Sequence, residues 1–359
     1  MPPLHLIFTT VIFIAGCAAT VREVGPPVKL ETRRSDATKT TPLTKATTQP
    51  SETAMYQLLA QWRADESKAA KVAAEHAWEV VFDHLAESDR AFVPNDAFFF
   101  NPDDDTPFGF FAHGKIGKVP AKVTVTLGGA RTLYAVCEAM CISEEYLLSK
   151  NPRDPFFQLY CAYLATNPGF AELRTPTEAL GWKHQDVPDR VRERAINSYL
   201  ECLFFVVAHE VGHVVLGHPG CDPGERDPFQ LAMSRLREVE ADQYAFRLLY
   251  RMGYTALPMT YVFVAWTVCV EGVDPLPGQR THPPQMSRIT AAVDFLNALA
   301  EVKDMPPNIR AEMWNARLAA YHFALVLEDE KLRAEMSKTI RNLDVKDLRR
   351  EAPKPAVRK

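Results

Sequence analysis

The sequence predicts a mainly α protein of the α+β class, a helical body that carries a small edge β-sheet. Three observations predict it. Long stretches place apolar residues at helical spacing with charged residues between them, as in Met55 to Leu85, Thr132 to Leu148, Arg190 to Gly217 and Phe229 to Tyr250. One segment, Lys122 to Leu127 (KVTVTL), alternates instead and is rich in β-branched residues, which marks a strand closed by Gly128-Gly129. Composition is that of a globular protein, 47% hydrophobic and 24% charged, and no fixed-period repeat points to a solenoid. The formal net charge of -4 argues against a nucleic-acid-binding surface, so no nucleic-acid partner is expected.

Taken in order, the chain opens on Leu4 to Ala15 (LHLIFTTVIFIA), an apolar run of signal-peptide length and too short to span a bilayer comfortably. It ends in IAGC, Ile14 to Cys17, which resembles the lipobox of bacterial lipoproteins. That resemblance implies residues 1–16 as a signal peptide and Cys17 as the lipidated new amino terminus. Ala18 then fits outer-membrane sorting. The n-region MPPLH lacks the expected Lys or Arg, so a plain secretory signal or an uncleaved anchor stays open. Residues 17–52 are rich in Thr, Pro, Lys and Ser and poor in large apolar side chains, a flexible tether.

The body is expected over residues 53–345. Met55 to Leu85 reads as a helix whose His76 and His84 lie at a surface or an interface. Phe92 to Phe111 has no clean period, and the run Asp103 to Asp105 reads as a solvated turn, since it lacks the glycine and distal Glu of a calcium loop. The strand Lys122 to Leu127 is a candidate edge strand for holding a peptide, or an ordinary hairpin strand. Helices are expected over Thr132 to Leu148 and Pro155 to Leu164. Of the six cysteines after Cys17, Cys137, Cys141 and Cys202 fall on helices as small buried hydrophobes, and no disulfide is expected. Tyr254 to Val270 contains Pro258 and reads as a buried core helix. Residues 346–359 form a basic, Pro-containing disordered tail.

The chemistry concentrates in Val206 to His218, VVAHEVGHVVLGH. Residues four apart share a helix face, so His209 and His213 can offer two imidazole nitrogens to one metal ion. Glu210 then lies beside the ion without ligating it. Zinc lowers the pKa of a bound water from about 15.7 toward about 7, and a neighbouring carboxylate can take the proton as that water attacks a carbonyl. This is the logic of the HExxH motif, with one Zn2+ per chain as the expected cofactor.

A zinc ion held by two His needs a third protein ligand. A metzincin would have Gly three and His six residues after His213, where this chain has Leu216 and Pro219, and His218 falls one residue out of place. A Glu on a following helix is the alternative, and REVEADQYAF supplies candidates. Glu238 and Asp242 are four apart on one face, whereas Glu240 is rotated by roughly 200° from Glu238 at 100° per residue. Glu238 as ligand and Asp242 as a carboxylate orienting a ligand imidazole use that phase, with Ala241 and Ala245 allowing close helix approach.

HEVGHVVLGH, then EVEADQYA, then THPPQMSRI (Thr281 to Ile289) resemble, in this order, three signatures of the gluzincin peptidases that include the CAAX prenyl protease and the heat-shock protease HtpX. The resemblance covers about Leu203 to Ala292. It implies a gluzincin-like helical peptidase domain, with His209, His213 and Glu238 as metal ligands and Glu210 as general base. It also implies Asp242 as the Asp of an ExxAD element, His282 as the residue that steadies the oxyanion, and Arg288 as the Arg of the last signature.

Together these expectations describe a zinc-dependent endopeptidase acting on peptide or unfolded-protein substrates in cell-envelope quality control. It would be held by its lipid anchor at the periplasmic face of a bacterial outer membrane. Two readings compete with it, a non-catalytic zinc-stabilised assembly factor or chaperone and a cytoplasmic peptidase with an uncleaved anchor. Glu210 argues against the first, because a purely structural site has no use for a general base.

Overall fold

The computed structural model describes residues 65–106, 109–114, 120–148, 175–179, 187–219 and 227–254, together with Met55, Leu59, Trp62, Tyr160, Tyr163, Leu164, Met259, Val262, Phe263, Arg288 and Asp294. The described fold is mostly helical with one three-stranded sheet, as the composition and periodicity imply.

Helix α1 (Glu66–Asp83) starts where the Asp65 side chain accepts a hydrogen bond from the Lys68 backbone N–H at 3.1 Å, an N-cap that satisfies one orphan donor. Its buried stripe is Ala69, Ala70, Ala73, Ala74, Ala77, Trp78 and Val81. So many alanines let the helix axis approach its neighbours closely. Trp62 stacks on Tyr134 at 4.4 Å between ring centroids and meets Tyr199 edge-on at 5.4 Å, tying the start of the body to the core. His76 lies half-buried against Phe204, 6.0 Å between ring centroids, and His84 is exposed, as expected for interface and surface positions. A short helix α2 (Glu87–Arg90) follows.

The sheet contains β1 (Phe98–Asn101), β2 (Phe110–His113) and β3 (Lys122–Thr126) in the order β1-β3-β2. Strand β1 runs parallel to β3, with Phe98 opposite Val123, and β2 runs antiparallel, with Phe110 opposite Val125. The KVTVT strand is therefore central, which corrects the reading of it as an edge. The physical reason lies in its partners. Strands β1 and β2 are dominated by consecutive Phe with no alternation, so neither shows a strand period in the sequence.

A second correction concerns Gly128-Gly129, which do not close the strand in a turn. They are the second and third residues of helix α3 (Leu127–Leu148), which begins directly after β3. The Thr126 hydroxyl accepts from the Gly129 N–H at 2.9 Å, and the Thr132 hydroxyl donates to the Gly128 carbonyl at 2.8 Å. Glycine is required at this junction by close approach: a Cβ on Gly128 would sit 2.2 Å from the Asp105 backbone carbonyl, and one on Gly109 would sit 2.3 Å from Thr126 Oγ1. The Asp103 to Asp105 run is the exposed turn that makes this contact. It is anchored by Arg131, which bridges Asp105 at 2.8 Å and Glu66 at 2.7 Å.

After the single turn α4 (Pro176–Ala179), helix α5 (Asp189–Val215) passes through the middle of the molecule, touching α1, α3, β2, β3 and the next helix. Tyr199 to Gly212 is buried without a break, the pattern of a helix that is apolar all round and enclosed by protein. By length and composition it could cross a membrane, but 83% of its most apolar window is buried inside the fold. Cys137 and Cys141 of α3 face Cys202 and Ser198 of α5, and all three cysteines are buried thiols. Helix α6 (Pro228–Met252) is capped by Asp227, whose side chain accepts from the Phe229 N–H at 2.9 Å, with Pro228 at the first helical position. It ends at Gly253 in the left-handed region, φ 85°. Met259, Val262 and Phe263 are buried beyond it. Most of Tyr254 to Val270, the stretch Pro155 to Leu164 apart from its Tyr160, Tyr163 and Leu164, the tether and the basic tail lie outside the described residues.

Candidate metal and catalytic centre

Helices α5 and α6 pack against each other, closely at Gly212, where a Cβ would lie 3.2 Å from the Tyr244 side chain, and Ala241 and Ala245 of α6 are fully buried. This close approach brings the two halves of the site together. His209 Nε2 lies 3.1 Å from His213 Nε2, and the Glu238 carboxylate lies 3.3 Å from the first and 3.4 Å from the second. One ligand atom from each of the three residues falls within 4.8 Å of the others, a set able to hold a metal ion.

The chemistry of the donor set fits such an ion. His209 Nδ1 is 2.9 Å from Asp242 Oδ1, an acceptor, so that nitrogen carries hydrogen and Nε2 is free to present its lone pair inward. Asp242 has no exposed surface, and Arg288 holds it from the other side with Nε to Oδ2 at 2.7 Å and Nη2 to Oδ1 at 2.6 Å. Two inward lone pairs facing a carboxylate repel one another unless a positive charge lies between them. The side chains alone already show this demand. Burial works against charge on His209, but the hydrogen bonds to Asp242 and Glu238 outweigh it and push its pKa up to about 10. Burial, together with the positive charge of His209, pushes His213 down to about 3. The cluster thus draws one proton into the space between its acceptors, where a divalent cation would satisfy all three at once.

Glu210 follows His209 on α5 and is 7% exposed. Burial raises its pKa to about 7 against the opposing pull of His209. Arg288 is held charged by Asp242 despite its own burial, and its guanidinium also lies over the Phe263 ring at 4.5 Å. His209, Glu210, His213, Glu238, Asp242 and Arg288 are therefore brought together. His282 and Cys17 lie outside the described residues.

Two residues at the site escaped the sequence reading in this role. His218 Nδ1 lies 3.0 Å from His213 Nδ1, and His218 Nε2 lies 3.1 Å from Glu240 Oε2. Glu240 points away from the three converging ligand atoms, as its helix phase requires, and meets the His that stood one residue out of ligand register. The available signal was Gly217, which can place the residue after it back against the helix end.

No curated protein and no solved structure matches the chain. Residues 171–305 match the family described as Peptidase U49, well under half of the chain but spanning every described residue of the cluster. The likeness is to that family, so the resemblance to the CAAX prenyl protease and HtpX group is carried only to the level of a peptidase. The match with Peptidase U49 supports a peptidase function for this chain.

Proposed function

We propose that this chain is a zinc-dependent endopeptidase with one Zn2+ held by His209, His213 and Glu238. The observation that carries the reading is the convergence of two imidazole nitrogens and a carboxylate within 4.8 Å on two packed helices, inside the residues that match a peptidase family. When bound, zinc supplies Lewis acidity for the scissile carbonyl and a water of lowered pKa.

The rest belongs to the side chains. Glu210 accepts the proton of the attacking water on its carboxylate and releases it to the leaving amine, a task suited to a group whose pKa lies near neutrality. Asp242, clamped by Arg288, fixes the His209 ring so that its Nε2 faces inward. His282, followed by two prolines in the sequence THPP, donates to the carbonyl oxygen as negative charge builds there. Strand β2 packs on α5, and Gly114 at its end reaches the His218 backbone carbonyl, 3.5 Å from an added Cβ. Among the described residues β2 has no strand on its outer side, where an extended peptide could add through backbone hydrogen bonds whatever its sequence, which suits unfolded envelope proteins as substrates.

Cys17 in IAGC anchors the protein by lipid in this reading, at the periplasmic face of a bacterial outer membrane. The Cys17→Ala protein should leave the membrane fraction or remain an unprocessed precursor, and palmitate labelling unchanged by the substitution would rule the anchor out. For the activity, purified protein should contain one zinc per chain and digest casein in a chelator-sensitive way. A protein free of zinc that binds none on titration would overturn the metal assignment.

A further inference from the structure

The turn that ends α5 determines where His218 stands. Gly217 adopts φ 68°, its N–H donates to the Val214 carbonyl at 3.2 Å, and the His218 N–H donates to the His213 carbonyl at 2.9 Å. These are the paired bonds of a Schellman motif, which folds the chain back over the last turn of the helix. The same residue whose carbonyl is capped, His213, thereby receives the His218 ring: the two rings lie 5.1 Å apart between centroids with planes at 69°. His218 is buried, while the Glu240 side chain beyond it is 50% exposed.

A count of protons leaves one assignment for this chain of groups. If His213 offers Nε2 to a cation, its Nδ1 carries hydrogen and donates across the 3.0 Å gap to His218 Nδ1, which must accept. A neutral His218 then has its hydrogen on Nε2, where the Glu240 carboxylate accepts it at 3.1 Å. No proton is missing and none is left over. The opposite arrangement, His218 Nδ1 as donor, would turn the lone pair of His213 to Nδ1 and place its hydrogen on Nε2, removing a ligand.

We propose that His218 and Glu240 are positioning residues that hold His213 in its metal-binding tautomer and ring orientation, an arm built from an imidazole and a carboxylate where His209 has Asp242 and Arg288. The proposal rests on the zinc reading above. Outer partners of ligand imidazoles are worth about 10- to 100-fold in metal affinity, and the buried His218 should account for most of that range here, with exposed Glu240 contributing less.

The test is zinc competition against a chromophoric chelator on the purified full chain, with melting temperatures of the zinc-free proteins as a check on folding. His218→Ala should release zinc about 10- to 100-fold more readily than the parent protein. His218→Asn, whose side-chain oxygen can accept from His213 Nδ1, should recover most of the lost affinity. Glu240→Ala should keep one zinc per chain but weaken it severalfold, and should add nothing in the His218→Ala background. The absorption spectrum of the cobalt-substituted protein should change in His218→Ala and return toward the parent spectrum in His218→Asn. A parent protein that binds zinc tightly with His218→Ala equally tight would overturn this role alone, as would His218→Asn no better than His218→Ala. A parent protein that binds no zinc would overturn the metal reading on which the role rests.

Discussion

Close approach is achieved differently in the α5–α6 hairpin and at the junction where β3 enters α3. In the hairpin, helix meets helix through side chains: Ala241 and Ala245 of α6 are fully buried, and a Cβ on Gly212 would be 3.2 Å from Cβ and Cδ1 of Tyr244, whose hydroxyl donates to Asp89 at 2.8 Å. At the junction, backbone meets backbone, with a Cβ on Gly128 only 2.2 Å from the Asp105 carbonyl. The difference separates chemistry from framework. A side-chain interface can be altered locally while the helices stay in place, whereas a backbone contact cannot give way without moving the sheet against the helix that supports α5.

Substitutions in the site and at the junction test this difference. The largest effect is expected for Glu238→Ala, which removes one of the three proposed ligands and should leave the purified protein with little zinc, while Glu240→Ala retains it. Metal analysis of the two decides the matter, and the reverse result would move the third ligand by two residues. Glu210→Gln should keep zinc and melting temperature but reduce turnover of casein by about 10²-fold or more, the usual range for general-base catalysis. Equal activity would remove Glu210 from the mechanism.

His282→Ala should likewise keep zinc and melting temperature and lower kcat far more than it raises KM, by an amount corresponding to about 2.7 to 4 kcal/mol. A normal kcat, or loss of the metal, would assign that residue another role. The smallest effect on catalysis, and the clearest on stability, is expected for glycine. Gly128→Ala should destabilise the fold by about 1 to 3 kcal/mol through overpacking against backbone. Gly212→Ala should cost less, because alanine's helix preference of about 1 kcal/mol over glycine offsets its contact with Tyr244. Thermal unfolding of both zinc-free proteins gives the order, and equal losses would show that the two contacts are alike.

Much of the site was legible because its information lies in helix periodicity. His209 and His213 four apart, Glu238 and Asp242 four apart, and Glu240 out of phase need only the 3.6-residue repeat to be placed on faces. The helices of residues 189–215 and 228–252 follow the expected spans within a few residues, their ends set by Asp227, Gly217 and Gly253. The sheet was legible in one strand of three. A central strand buried on alternate residues shows its period, but Phe98 to Phe100 and Phe110-Phe111 are apolar on both faces and leave no alternation to read.

By itself, then, the chain determined which residues can share a helix face, and with that the identity of the proposed ligand pair, the proposed general base and the third carboxylate. The partner of each face was decided in three dimensions. Nothing local ties Arg288 to Asp242, Gly128 to Asp105, or His218 to Glu240, because such contacts join segments whose separation along the chain carries no repeating signal. Only packing of α6 against the capped end of α5 brings an out-of-register His and an out-of-phase Glu into line with His213.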